Sequence, residues 1–309
     1  MNICPITYKP CGDKKYSPAG LKLLSGKLKD LNDIPLTQEE QLQEAAARSV
    51  KMSIQGVQPK LSAKLRIKEA KFDIVDRGGG YILKPQSNFY SELPENEDLS
   101  MHLAKLIGIE VPLHGLVYSI DQKFTYFIKR FDRYGKNRKL SVEDFAQLSG
   151  KSRETKYNSS MENVAAVLDR YCTFPLIEKI KLFRLTLFNF LIGNEDMHLK
   201  NFSLITRDNK TGLSPAYDLL NTTITLPNPL EEIALPVSDK RSNLTSKVLI
   251  DYWGKERLKL NDVVISQILE AIIDVQNEWE SIIDTSFLSK KMKEKYFELL
   301  NSRRKRLKL

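Results

Sequence analysis

Between residues 61 and 67, Leu61, Ala63, Leu65 and Ile67 alternate with Ser62, Lys64 and Arg66, the period-two pattern of a half-buried strand. FDIVD (72–76) and YILKP (81–85) read as two further strands with RGGG as the turn between them, so the three predict a small antiparallel meander. Ahead of them QEEQLQEAAAR (38–48) is rich in strong helix formers and Thr37 stands as its N-cap. After them ENEDLSMHLAKLIG (95–108) puts Leu99, Leu103, Leu106 and Ile107 on one helical face, carries acids in its first turn and ends at Gly108. GLVYSI and FTYFIK then read as two more strands, the second running straight into Arg130, Phe131 and Asp132.

From there the apolar period changes to that of helices. Met161, Val164, Ala165 and Leu168 keep helical spacing, and IEKIKLFRLTLFNFLIG (177–193) reads as a long, mostly buried helix. Ile265, Ile268, Ile272, Val275, Trp279 and Ile282 mark another, and Leu288, Met292, Tyr296, Leu299 and Leu300 carry the pattern to a basic end. A strand-rich first part with one helix thus precedes a helix-rich second part. That order predicts an α+β fold of two lobes, residues 1–132 and 133–309, with the changeover near 132–140. No repeat at solenoid periods and no low-complexity tract interrupts it.

Composition narrows the function classes. With 41% hydrophobic residues the 309-residue chain has material for real cores. Cys4, Cys11 and Cys172 cannot form an all-paired disulfide set, which points to the reducing cytoplasm, with transfer to another cell left open. Cys4 and Cys11 have no second Cys or His pair at zinc-ligand spacing. No segment approaches the ~20 apolar residues of a spanning helix, and the N-terminus lacks a secretory apolar core, so no membrane role is expected. The net charge of +9 suits an acidic partner such as nucleotide or nucleic acid. Much of it sits in KSRETK (151–156) and the terminal RRKRLKL, read as solvated helix ends and a flexible tail.

GNEDMHLKNFSL (193–204) is the most informative stretch, because it packs Asn194, Glu195, Asp196, His198, Lys200 and Asn201 into eight positions. Asp196 and Asn201 stand five apart, the interval at which a protein-kinase catalytic loop places its base and a metal-binding amide. His198 reads either as a structural histidine beneath the loop or as an acid–base group. Lys200 reads as steadying the transferred phosphoryl group or as an exposed lysine. Asp218, in SPAYDLL, supplies a second carboxylate for Mg²⁺, the alternative being a cap.

Lys84, closing the strand YILKP, matches the phosphate-binding strand lysine of kinases. Glu97 is the candidate to hold it through an ion pair, and Glu95 competes. The loop MSIQGVQPK (52–60) precedes the first strand and is placed to cover phosphates with backbone amides, although Gln55 or Gln58 equally suits a turn cap. GxxxxGK[ST] is absent, which argues against a P-loop fold, and the sequence has neither a GxSxG elbow nor HExxH. A basic nucleic-acid-binding protein and a small-molecule or lipid kinase on the same frame are the competing readings.

Taken together, SIQGVQPK, ILKP, ENEDLSMHLAK, KRFDR, GNEDMHLKN and SPAYDLL resemble the ordered motif set of HipA-family toxin kinases. The resemblance implies a two-lobed kinase-like fold that uses ATP and Mg²⁺ to phosphorylate serine, typically on an aminoacyl-tRNA synthetase, stopping translation. It implies Asp196 as base, Asn201 and Asp218 as metal ligands, and Ser53, Gln55, Gly56 and Val57 as the phosphate-covering loop. Lys129 and Phe131 would line the adenine hinge, with Gln147 approaching the nucleotide. Members often carry glutamate where Lys129 stands. In the family the loop serine, here Ser53, is autophosphorylated and the enzyme silenced; a dianion there would repel ATP phosphates. The opening CPITYKPCGDKKYSPAGLKLL is similar to the short HipT type, a likeness that implies a chain without the N-terminal subdomain that HipA carries before the serine matching Ser53. That likeness implies a small HipS-like companion subunit and a helix-turn-helix antitoxin through which DNA is reached indirectly.

Overall fold

The computed structural model describes residues 1–49, 58–135, 138–226 and 231–309. The chain divides into two compact units that are not contiguous in sequence: residues 1–99, 112–137 and 284–288 form the first, and 100–111, 138–283 and 289–309 the second.

The first unit opens with the hairpin of β1 (Asn2–Ile3) and β2 (Pro10–Gly12), followed by α1 (Pro18–Leu24) and α2 (Gln38–Ser49). Thr37 caps α2 as a reciprocal box, its hydroxyl accepting the Glu40 N–H at 3.2 Å while Glu40 accepts the Thr37 N–H at 2.7 Å. The main sheet comprises β3 (Leu61–Arg66), β4 (Lys71–Ile74) and β5 (Tyr81–Lys84), then, beyond α3 (Leu93–Leu106), β6 (His114–Tyr118) and β7 (Phe124–Lys129). All pairings are antiparallel, in the order β4-β3-β5-β7-β6. β8 (Arg133–Tyr134) follows.

The expected meander of the first three strands is corrected by this order. β5 pairs with β3 on the side away from β4, so β3 is central and β4 is the edge. Burial explains the choice: β5 is buried at Tyr81, Leu83 and Lys84, whereas β4 is fully buried only at Phe72, so β5 takes the inner place. RGGG must therefore recross β3. A Cβ on Gly79 would fall 2.1 Å from Ser62 Oγ and 2.9 Å from the Ala63 nitrogen, so only glycine passes there. Phe72, Tyr81 and Phe127 meet at ring separations of 5.1 to 6.2 Å and join Cys4, Tyr16, Leu61, Ala63 and Leu83 in one core.

The second unit contains β9 (Arg138–Lys139) and a three-stranded antiparallel sheet of β10 (Ser141–Asp144), β11 (Ser203–Arg207) and β12 (Lys210–Leu213), ordered β10-β11-β12. Its helices are α4 (Phe145–Leu148), α5 (Met161–Tyr171), α6 (Pro175–Ile192), α7 (Asp262–Asp274), α8 (Gln276–Thr285, whose end belongs to the first unit) and α9 (Lys290–Leu307). α6 is buried almost continuously from Leu182 to Ile192, as its all-round apolar sequence requires. One helix was expected through 265–282; two are present, parted at Val275 (ψ 4°). No Pro or Gly marks that break, so uninterrupted apolar periodicity concealed it. The π-helical turns over Lys247–Arg257, which bury Trp253, carried no readable signal either.

The basic terminus is likewise no flexible tail. It is the end of α9, where Arg303 and Arg304 are buried and Arg306 pairs with Glu232. Arg303 packs over the Phe190 ring at 4.6 Å and donates to the Phe190 carbonyl at 3.4 Å. Among the described residues no helix is long and apolar enough to cross a membrane.

Candidate functional site

α6 delivers the chain to the GNEDMHLKN segment. Gly193 ends the helix in the left-handed region (φ 73°), the usual conformation of a helix C-terminus. A Cβ there would stand 2.6 Å from Thr223 Oγ1 and 2.5 Å from Leu299 Cδ2, so glycine is required by space as well as by φ. The segment closes in a 3₁₀ turn over Leu199–Asn201, and β11 begins at Ser203.

Within it, the Asn201 amide donates from Nδ2 to the Asp196 carbonyl at 3.0 Å. This closes the five-residue interval as a loop and uses the donor end of the amide, leaving Oδ1 as its acceptor atom. Asn201 is buried, whereas the Asp196 side chain is half exposed. A base that must meet a partner's hydroxyl needs that exposure.

Asp218 comes from a separate segment and holds a left-handed φ of 54°. It is tied to the loop by a residue for which the sequence suggested no role. Asn194, 1% exposed, accepts the Asp196 N–H at 3.2 Å and donates to Asn189 Oδ1 at 3.0 Å and to the Asp218 carbonyl at 3.5 Å. The neighbouring threonines add to the tie. Thr222 Oγ1 accepts the Glu195 N–H at 2.7 Å and donates to the Gly193 carbonyl at 3.1 Å, which also receives Thr223 Oγ1 at 3.0 Å. An amide oxygen and a carboxylate form a hard-oxygen donor set of the kind Mg²⁺ takes.

The charged stretch ending at Lys156 is not simply solvated. Lys156 Nζ lies 2.6 Å from His198 Nε2; a lysine ammonium only donates, so the imidazole proton belongs on Nδ1. Burial pushes the His198 pKa down, the Asp196 charge opposes this and Lys156 reinforces it. His198 is therefore neutral and engaged by Lys156. Tyr157 donates its hydroxyl to Asp196 Oδ1 and meets the His198 ring edge-on at 5.0 Å. Burial, and then that donation, push the phenol well above its ordinary pKa.

Two expected contributors have other partners. Lys200 Nζ is 2.7 Å from Asp144 Oδ2. Gln147 closes a capping box with the same aspartate, accepting the Asp144 N–H at 3.1 Å while its own N–H reaches Asp144 Oδ1 at 2.9 Å. Asp144 thus links α4 to the loop.

In the first unit Lys84 pairs with Glu97, not Glu95, with Nζ 2.6 and 2.8 Å from the two carboxylate oxygens. Both side chains are buried, at 3% and 2% exposure, and Tyr126 lies under the ammonium at 5.6 Å. Glu95 has its carboxyl pushed up to about 7 by burial, with Glu92 and Asp98 adding to the shift. Lys129 ends β7 exposed and Phe131 follows half-buried. Ser53, Gln55, Gly56 and Val57 lie outside the described residues.

Residues 52–279 match the HipA-like C-terminal domain family. A protein of Haemophilus influenzae named as a kinase is 30% identical over 93% of this chain and 92% of its own length. The serine/threonine-protein kinase toxin HipA of Shewanella oneidensis is 30% identical over 55% of this chain; the match spans 43% of that protein. Among solved structures, the HipA, HipB and operator DNA complex of Shewanella oneidensis superposes with a TM-score of 0.70 at 20% identity, covering 91% of this chain and 74% of that one.

Proposed function

The chain belongs to the HipA-like C-terminal domain family, and from that premise we propose that it is an ATP- and Mg²⁺-dependent serine/threonine protein kinase of the toxin–antitoxin kind. The observation that carries this is the pairing of Asp196 and Asn201 in one closed loop with Asp218 tied to it through Asn194.

In this reading Asp196 accepts the proton of the acceptor hydroxyl while holding its oxygen toward the γ-phosphorus. Asn201 and Asp218 hold Mg²⁺, which neutralises charge on the phosphate oxygens when bound. Lys84 binds the nucleotide phosphates, and Glu97 holds its ammonium in place through both carboxylate oxygens. His198 supports the loop from below and Lys200 anchors it through Asp144. The buried and paired arginines of α9 remove much of the free positive surface on which the nucleic-acid-binding alternative rests.

The finer assignments follow the family resemblance. They are Ser53 as the self-modified residue, an aminoacyl-tRNA synthetase as the protein substrate, and a helix-turn-helix antitoxin with a small companion subunit as partners. Asp196→Gln removes the base at a half-exposed position. It is expected to abolish transfer from γ-labelled ATP while the circular dichroism spectrum stays unchanged; full transfer by the folded variant would refute the reading. Phosphopeptide mapping of the wild type should place the main label on Ser53 and lose it in Ser53→Ala. A comparison of the phosphoproteomes of cells expressing the wild type and Asp196→Gln identifies the target.

A further inference from the structure

We propose, resting on the kinase reading, that Tyr157 is a positioning residue for the transfer step: its hydroxyl pins one oxygen of the Asp196 carboxylate so that the other faces the acceptor. The two oxygens of this carboxylate are not equivalent. Oδ1 accepts the Tyr157 hydroxyl and lies 4.0 Å from His198 Nε2. Oδ2 has no hydrogen bond among the described residues, on a side chain 53% exposed. A carboxylate on a single rotatable stem, half in solvent, samples several orientations, and a base is effective only within hydrogen-bond reach of its proton. One fixed donor on Oδ1 removes that freedom and leaves Oδ2 for the incoming serine.

Tyr157 is itself held on several sides. Its ring stands edge-on to His198, at an interplanar angle of 84°. The Lys156 ammonium lies 4.9 Å from the ring centroid, and Arg241 Nη2 donates to its carbonyl at 3.3 Å. A tyrosine so braced acts as a stop rather than as a plug that must leave. In the step it serves, the acceptor proton passes to Oδ2 and the acceptor oxygen bonds to the γ-phosphorus. The bond from that phosphorus to its bridging oxygen breaks, releasing ADP.

Single-turnover autophosphorylation of the full chain with γ-labelled ATP and Mg²⁺ gives a limiting rate and a half-saturating ATP concentration. Tyr157→Phe keeps the ring packing and removes only the donor. The limiting rate is expected to fall about tenfold with half-saturating ATP unchanged, as for a group that acts in the transition state alone. A limiting rate equal to the wild type's would overturn the proposal, and a faster one would show the hydroxyl to be an obstruction. Half-saturating ATP rising along with the loss of rate would also overturn it, by revealing a structural role. A wild-type chain that transfers no phosphate sinks the kinase reading and this inference with it; an active wild type with a fully active Tyr157→Phe sinks this inference alone.

Discussion

The side-chain amide of Asn194 reaches the backbone carbonyl of Asp218 at 3.5 Å while its oxygen holds the Asp196 N–H at 3.2 Å. A buried amide that spans two segments sets the separation of two acids belonging to neither the same loop nor the same turn.

Asn194→Ala should therefore do two things at once. Losing buried hydrogen bonds and stranding their partners is expected to lower stability by about 2–3 kcal/mol, read from urea unfolding. Phosphate transfer should fall further than that loss explains, because Asp218 is no longer referenced to Asp196. Unfolding curves and transfer rates that both match the wild type would remove Asn194 from the site.

Lys84 and Glu97 form a buried pair, so removing one charge takes from the other the opposite charge it is bonded to. Lys84→Met or Glu97→Gln alone should cost about 3–5 kcal/mol. The double variant Lys84→Met with Glu97→Leu should recover much of that stability and none of the transfer activity. Recovery of both would show the pair to be purely structural.

Gly193→Ala forces a Cβ into a left-handed turn already filled by Thr223 and Leu299. The conformational cost of about 1–2 kcal/mol adds to the crowding, and thermal unfolding should show a clear drop. An unchanged melting temperature would mean that the turn relaxes freely.

Glu95 provides a pH test. Its carboxyl is raised to about 7 by burial, so the folded state binds that proton more tightly than the unfolded state does. The resulting stability is fully present below the ordinary glutamate pKa of about 4.3 and is lost as pH rises through about 7. Glu95→Gln should raise the melting temperature at pH 8 and leave it nearly unchanged at pH 4. Equal shifts at both pH values would refute the assignment.

Local chemistry was legible wherever one segment carried it. The strand alternation from Leu61, the Thr37 cap and the Asp196–Asn201 interval are all short-range patterns, and the structure has a strand, a capping box and a closed loop at those places. Pairings set at long range were less so. The place of β4 at the edge depends on Gly79 crossing Ser62, and the break at Val275 leaves the apolar period intact. Lys156 and Tyr157 were hidden in a stretch of charges because their partners, His198 and Asp196, lie about forty positions on. Lys200 and Gln147 carry residue types suited to a nucleotide site, yet both are engaged by Asp144, a competition that no spacing announces.

The seat of Arg303 on Phe190 gives the last turns of the chain a task upstream. Phe190 stands one turn before the helix end that launches the Asp196 loop, and Leu299 fills the space beside Gly193. Shortening α9 would withdraw the backstop from that launch point, so a truncated or bulkily tagged C-terminus would loosen chemistry carried by residues a hundred positions earlier.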